Sequence, residues 1–595
     1  MTNGERVAGA PAIDGEVWDY GKRMQRFIEH HTDERFDIVV IGGGITGACV
    51  AYEAATQGLN VALLEKNDFS AGTSSASSKL IHGGLRYLAN GEIRMVRESL
   101  RERRVMANIA PNLVYPAPVL ITHASRRSQL LAKVGMLLYD VLSLDKAFTW
   151  DPSKRLPMHS SVSRQQVLRD EPQVHAKGLT GGSVYHDSAS LCPERLTLAF
   201  IKSAVRYGAK VSNHAQVAAL LRDGAGRVSG VSLRDNLSDK RQTVHAQLTV
   251  NCAGPWADRI PELAASTVAG ERALRRSEGV HFITRKPLIS GRTIVGCATR
   301  TGGHFFLIPW RGHTLVGTTD KAYIGDPDDY RVSAASVMDL IATVNEGFGD
   351  GTLTYADVQY AYGGLRPLVE TQTQETYSAS RRYEICDNTE QGLDGLITVE
   401  GGKFTTSRQL ASDCMKMIGR KLGVPLKRSI TNRQRLAGCD IADLASFLEQ
   451  AQQNNRGFAA TTIDFLSRHY GTEYEAVLQL TRDDARLAQS LGADGEILAQ
   501  VSYAIRFEMA RTLADIVLRR TGIGTLGHPG MAVLEQVAAL AATELGWDED
   551  KRKREIAVTS QSLAPPMPEA AEGRQKQHLD RHDPTSRQAF GSATA

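Results

Sequence analysis

Long apolar runs are missing from this chain of 595 residues. No stretch reaches the roughly 18 consecutive apolar residues of a spanning helix, so none is expected. The first residues, MTNGERVAGAPAIDGEVWDY, lack the apolar centre of a secretory signal. Paired cysteines are missing too. Cys49, Cys192, Cys252, Cys297, Cys386, Cys414 and Cys439 are scattered, odd in number and without a CxxC pair. That argues against a disulfide framework or a zinc site and fits a reducing, cytoplasmic compartment. Strong charge imbalance is also absent. A net charge of +4 argues against a nucleic-acid partner, while local basic patches remain free to meet a membrane surface.

What is present is globular: 42% hydrophobic and 23% charged residues over a length that suits several domains. Residues 1–33 read as a polar extension with one short helix around WDYGKRMQRFIEH. Strand and helix patterns then mix to about residue 430, including HFFLIPWRGHTLVGTTD, which reads as a hairpin around Arg311 and Gly312. From about residue 440 to 560 the pattern is helical. VSYAIRFEMARTLADIVLRRTGIG puts Ile505, Met509, Leu513, Ile516 and Val517 near one face, with Gly522 as a stop. Residues 562–595, rich in Pro, Gln and charge, are expected to be a disordered tail.

The most specific local signal is DIVVIGGGITGACVAYEAATQGLNVALLEKND. Asp37 to Ile41 reads as a buried strand, and Gly42, Gly44 and Gly47 form G-x-G-x-x-G ahead of a helix from Ile45 to about Gln57. The first glycine allows the tight turn, the second the approach of a pyrophosphate, and the third close packing of helix on strand. Ile45 and Thr46 open the helix, whose amides and positive dipole end suit phosphates. Glu65, closing the next strand, can accept both ribose hydroxyls and argues against a 2′-phosphate; Lys66 follows it. A later strand, LTVNCAGPWAD, ends in Ala253-Gly254, and GLITVEGGKFTTSRQLA repeats the strand, Gly-Gly, helix order with Gly402, Lys403, Phe404 and Thr405. A nicotinamide dehydrogenase does not need this third element, whose helix start can face the isoalloxazine, so the cofactor is read as FAD.

GTSSASSKLIHGGLRYL raises its own question, since five of the six residues from Thr73 to Ser78 carry hydroxyls. A Ser-rich linker is the plain reading. Together, however, GGGITGA, TSSASSKLIHGGLRYL, NCAGPWAD, YGGLRPL, EGGKFTTSRQLA and RFEMARTLADIVLRRT resemble the FAD-dependent, respiratory glycerol-3-phosphate dehydrogenases, within the D-amino-acid-oxidase-like flavoproteins. The resemblance covers roughly residues 35–540.

It implies an α/β fold: a Rossmann-type FAD-binding domain with an interleaved mixed-sheet substrate domain, then an all-α C-terminal domain. FAD parts are expected at about 34–110, 180–260 and 360–430, and substrate parts at about 111–179 and 261–359. The implied reaction oxidises sn-glycerol 3-phosphate to dihydroxyacetone phosphate, with a hydride leaving C2 for flavin N5 and electrons passing to a membrane quinone.

Phosphate needs forked cationic donors, and Arg86 and Arg366, each close after Gly-Gly, are the candidates, with Tyr87 as a further donor. Proton removal needs a base, and His82, His281 and Lys403 remain alternatives. Ser74, Ser75, Ser77 and Ser78 become uncharged lining for the flavin, and the segment around Val217 resembles the strand that contacts adenine. RRSQLLAKVGMLLYDVLSL, Arg126 to Leu144, carries an apolar stripe that suits either a core or a membrane interface. The expected location is the inner face of the cell membrane, peripherally attached; self-association into a homodimer stays open. The alternatives are a glycerol-3-phosphate oxidase using oxygen, an amine or amino-acid oxidase on the same fold, and a non-catalytic flavin sensor.

Overall fold

FDIVVI is a run of branched aliphatic residues, the composition of a strand buried on both faces. In the computed structural model it lies in the strand Arg35–Ile41, at the centre of a parallel sheet. The structure describes residues 23–30, 34–88, 90–176, 178–264, 274–299, 304–348, 351–369, 382–492 and 494–568.

The sheet runs Tyr383–Asp387, Leu396–Gly401, Arg241–Asn251, Arg35–Ile41, Val61–Leu64, Lys210–Ser212, all parallel but the first. An antiparallel hairpin, Ala215–Arg222 with Val228–Asp235, extends it from Arg241–Asn251. Ile41 lies opposite both Leu64 and Asn251, and Asn251 opposite Thr398. Four carboxyl ends therefore finish on one level, the position where open parallel sheets bind ligands. Both the returning strand and the late strand, Gly-Gly, helix element stand where the sequence suggested. Helices Ile45–Thr56, Pro193–Arg206 and Ser407–Leu422 bury themselves in one core with the sheet.

Among the described residues a second, mixed sheet has ten strands. It includes Tyr115–His123, Gly181–Ala189, Arg275–Thr284, His304–Trp310, His313–Gly317 and Val358–Leu368. Trp310 pairs with His313, and Arg311 and Gly312 both have positive φ, the tight hairpin read from the sequence. Two expected boundaries shift. Gly181–Ala189 and Val358–Leu368, assigned by sequence largely to the FAD parts, belong to the second sheet, because they pair along their lengths with Tyr115–His123 and Arg275–Thr284.

At the amino end, residues 1–22 and 31–33 lie outside the described residues, but Arg26 is buried and paired with Asp235, and Ile28 packs in the core. Part of the short helix expected around WDYGKRMQRFIEH, residues 18–22, lies outside the described residues; among residues 23–30 there is a single turn, Phe27–Glu29. Most of the tail, from residue 569, also lies outside them.

The C-terminal helices, from Leu444–Asn454 to Glu549–Leu563, have a core of their own. The long helix expected over VSYAIRFEMARTLADIVLRRT is broken. Ala499–Phe507 ends, Met509 takes φ 59°, and Asp515–Arg520 is π-helical. Side chains drive the break. Glu508 is buried against Arg195 at 2.6 Å and Lys202 at 3.1 Å, and Asp515 accepts from the amides of Arg511 and Thr512. Burial pushes the Glu508 carboxyl up, but the two cations outweigh it and hold it down at about 2.

A methyl group at Gly47 would sit 1.8 Å from the carbonyl oxygen of Gly42. Gly47→Ala is expected to lower stability by at least the ~1–3 kcal/mol of core overpacking and to cut flavin content of the purified protein. Urea unfolding and the visible spectrum measure both; unchanged values would contradict this packing.

Candidate active site

The candidate nucleotide-binding groups gather at the strand ends and the Ser-rich loop. Gly42 turns at φ 106° with its Cα so near the neighbouring strand that a Cβ would lie 2.5 Å from the Cys252 carbonyl oxygen. Helix Ile45–Thr56 has no side-chain cap from its own N-cap, Gly44. Instead Ser74 Oγ accepts from the Ile45 amide at 2.9 Å, so the Ser-rich loop caps the helix from outside. Glu65 accepts from the amides of Gly43 at 2.7 Å and Asn67 at 2.8 Å; burial raises its carboxyl, and these bonds oppose the rise. Lys66 Nζ lies 4.2 Å over the Trp256 ring and 2.5 Å from Asp328.

These groups share one cavity of about 1190 Å³, lined also by Gly44, Thr46, Ser77, Val217, Ala253, Gly254, Gly402, Phe404 and Thr405. Two sequence candidates do not reach it. Ser75 turns its hydroxyl back to the Gly72 carbonyl at 3.0 Å, and Gly47 is consumed by packing on Gly42.

The same cavity holds two reactive clusters. In the first, His82, Arg86, Tyr87 and Lys403 meet. The His82 amide donates to Thr405 Oγ1 at 3.2 Å. Arg86 Nη2 donates to Tyr87 Oη at 2.9 Å, and Lys403 Nζ lies 4.7 Å over the Tyr87 ring. Lys403 Nζ is buried and has no hydrogen-bond partner among the described residues. Burial lowers this ammonium to about 8, with Asp187 opposing. Burial first, then the Lys403 charge, lowers His82 to about 4.

In the second cluster His281 stacks on Tyr362 at 5.1 Å and its Nε2 meets Ser78 Oγ at 2.8 Å. Burial, then Arg366 and Lys79, holds this imidazole well below its ordinary value. Arg366 donates to the carbonyls of Glu278 at 3.2 Å and Thr319 at 3.1 Å, and to Thr318 Oγ1 at 2.9 Å.

Sequence reasoning missed Asp187. It is buried, lines the cavity, accepts from the Gly83 amide at 3.2 Å, and is bonded by Tyr139 and Arg103. The only signal was a lone carboxylate in the strand GGSVYHDSA.

FAD fits this space. The cavity exceeds the ~300–1,000 Å³ of an ordinary small-molecule site. Gly42, Gly44 and Gly254 line one part of it with backbone free of side chains, and the unpartnered Lys403 ammonium, elsewhere on its lining, calls for an acceptor.

Helix Arg126–Leu142 forms one wall through Leu131, Val134, Gly135 and Leu138. Of the two readings of its stripe, the core is the wrong one: Leu130, Leu131, Val134, Leu137 and Val141 are each more than half exposed.

The family model of the FAD dependent oxidoreductases matches residues 37–406, and that of the C-terminal domain of alpha-glycerophosphate oxidase matches 429–552. The glycerol-3-phosphate dehydrogenase of Synechocystis sp. is 33% identical over 88% of this chain and 95% of its own length. The alpha-glycerophosphate oxidase of Enterococcus casseliflavus is 28% identical over 91% and 97%. The solved glycerol-3-phosphate dehydrogenase from Bacillus halodurans, complexed with FAD, superposes with a TM-score of 0.72 at 28% identity, covering 90% of this chain and 96% of that one. The chain belongs to the FAD-dependent oxidoreductase family, among its glycerol-3-phosphate dehydrogenases.

Proposed function

We propose that this protein oxidises sn-glycerol 3-phosphate to dihydroxyacetone phosphate with FAD and that its electron acceptor is a membrane quinone. One observation carries the reading: a dinucleotide cradle and a cationic cluster with a buried, unpartnered ammonium line a single cavity. FAD, when bound, supplies the hydride acceptor.

The protein's own groups do the rest. Arg86 and Arg366, with Tyr87, bind the phosphate through forked and hydroxyl donors. Lys403 holds its ammonium against the C2 oxygen and stabilises the charge that develops there. His82, neutral at physiological pH because it is buried, takes the hydroxyl proton. His281 is pinned between Ser78 and Tyr362 and is read as a wall of the site rather than the base.

The acceptor reading is supported by the exposed apolar face of Arg126–Leu142, continued by Leu144, Phe148 and Trp150 and flanked by Arg126, Arg127 and Lys133. Exposed apolar, aromatic and basic residues side by side suit a bilayer interface. The similarity to an oxidase keeps oxygen as the second acceptor.

Anaerobic addition of glycerol 3-phosphate to the yellow protein is expected to bleach it. A flavin unmoved by this substrate but bleached by an amino acid overturns the reading. Turnover with a quinone analogue should exceed aerobic peroxide formation; the reverse result makes the protein an oxidase. Arg366→Ala should raise KM at least about tenfold, the cost of losing a charged hydrogen bond, with FAD retained.

The pH dependence has a definite sign. Lys403 acts while charged and His82 while neutral, so kcat/KM is full between about 4 and about 8 and falls as pH rises through about 8. Lys403→Arg stays charged and should be slower but without that alkaline limb. A limb that survives in this variant assigns it to another group.

Replacing Arg126 and Arg127 by Gln should weaken sedimentation with anionic vesicles and leave neutral-vesicle binding less affected. Unchanged binding removes this helix from the membrane surface.

A further inference from the structure

The loop after strand Val61–Leu64 carries Glu65 into the cavity and then buries Asp68 completely. Four hydrogen bonds converge on the Asp68 carboxylate. Asn213 Nδ2 donates at 2.9 Å, Arg520 donates through both Nη1 and Nη2 at 2.7 Å, and Arg519 Nε donates at 2.7 Å. Both arginines belong to the C-terminal domain, some 450 residues further along the chain. They are themselves fixed. Arg519 Nη2 reaches Asp515 at 2.6 Å, and Arg520 Nε donates to the Glu508 carbonyl at 3.0 Å. Asp515 also holds His214 at 2.9 Å.

The other side of the loop is the nucleotide site. The carbonyls of Glu65 and Asn67 accept from the amides of Ala215 at 2.7 Å and His214 at 2.6 Å, and the Ser70 amide donates to the Gly43 carbonyl at 3.0 Å. Ser70 takes φ 67°, a conformation a serine holds only under constraint. Asp68, His214 and Asp515 lie close enough to group round a metal ion, but Arg519 and Arg520 already neutralise the two carboxylates. The cluster is an ion-pair lock.

It coincides with the broken helix: Asn213 also bonds the carbonyl of Met509, and both arginines sit in the π-helical stretch Asp515–Arg520. π-helical turns are rare and gather at functional sites.

We propose that the C-terminal domain positions the FAD nucleotide site, with Arg519 and Arg520 clamping Asp68 so that the loop presents Glu65 to the ribose. Arg519, Arg520 and Asp68 are positioning residues; they touch no reacting atom. The proposal rests on the reading of Glu65 as the ribose acceptor. Loosening the clamp lowers the fraction of molecules with a competent loop, and apparent affinity falls by that fraction.

The test titrates flavin-stripped full-length protein with FAD and follows flavin fluorescence. Asp68→Asn and Arg519→Gln are expected to raise the FAD dissociation constant about tenfold, and Arg519→Lys, which keeps one charged donor, to recover part of it. Hydrogen exchange at residues 65–71 should rise in the stripped variants while the central strands stay protected. A lower unfolding temperature with unchanged FAD affinity overturns the proposal, since the clamp is then structural only. Should Asp68→Asn fail to fold, Arg519→Gln carries the test, its side chain being 13% exposed against 1% for Arg520. Glu65→Ala separates the two readings. If it binds FAD as the parent does, the ribose reading falls and the clamp with it. If it weakens binding while Arg519→Gln does not, the clamp alone falls.

Discussion

The close approach of three backbone segments at the carboxyl end of the parallel sheet is the constraint on which the site depends. Gly47 abuts the carbonyl of Gly42, and Gly42 abuts that of Cys252, with no space for a side chain at either contact. This brings the helix Ile45–Thr56 and the returning strand Arg241–Asn251 against one turn. The helix start then opens on the cavity, its Ile45 amide capped by Ser74 from outside and not by its own N-cap residue. Three further bonds are organised round that turn: Glu65 accepts from the Gly43 amide, Ser74 from the Ile45 amide, and the Ser70 amide donates to the Gly43 carbonyl.

Across the cavity the organising force is electrostatic. Burial strips water from Lys403, His82 and His281 together, and their responses differ because one is a strong base and two are weak ones. The imidazoles lose their protons, while the lysine keeps most of its charge at neutral pH. One buried carboxylate, Asp187, supports the remaining cation and at the same time fixes the Gly83 amide next to His82. Tyr139 bonds Asp187 from the helix Arg126–Leu142. The wall of the cavity and the loop that carries His82 are thus joined through a single charge.

What was legible in the sequence was what short-range patterns encode. The glycine spacing, the strand endings at Glu65 and Ala253, and the second Gly-Gly before a helix are local arrangements of backbone, and they stand as expected. Family-specific stretches brought His82, Arg86, Lys403, His281 and Arg366 to one cavity although they are far apart in the chain. Long-range pairing was not legible. Gly181–Ala189 reads like any strand until its partner is known, and Asp187 and Asp68 read as ordinary charged residues. The helix through Met509 failed for the same reason. Its apolar spacing is sound, but buried charges at Glu508 and Asp515 claim backbone and side-chain partners that an unbroken helix cannot offer.

The helix Arg126–Leu142 shows why amphipathic periodicity alone could not decide between core and interface. The period fixes which residues share a face, not what that face meets. Here Met136 and Tyr139 turn inward, and the leucines and valines of the opposite face turn out beside the mouth of the cavity. Left in water, an apolar face of this breadth is unfavourable, and proteins keep such patches where something covers them. A bilayer surface would cover it and would bring a lipid-soluble acceptor to the same wall that closes the cavity. The burial of the leucine face and the delivery of the acceptor would then be one geometric event.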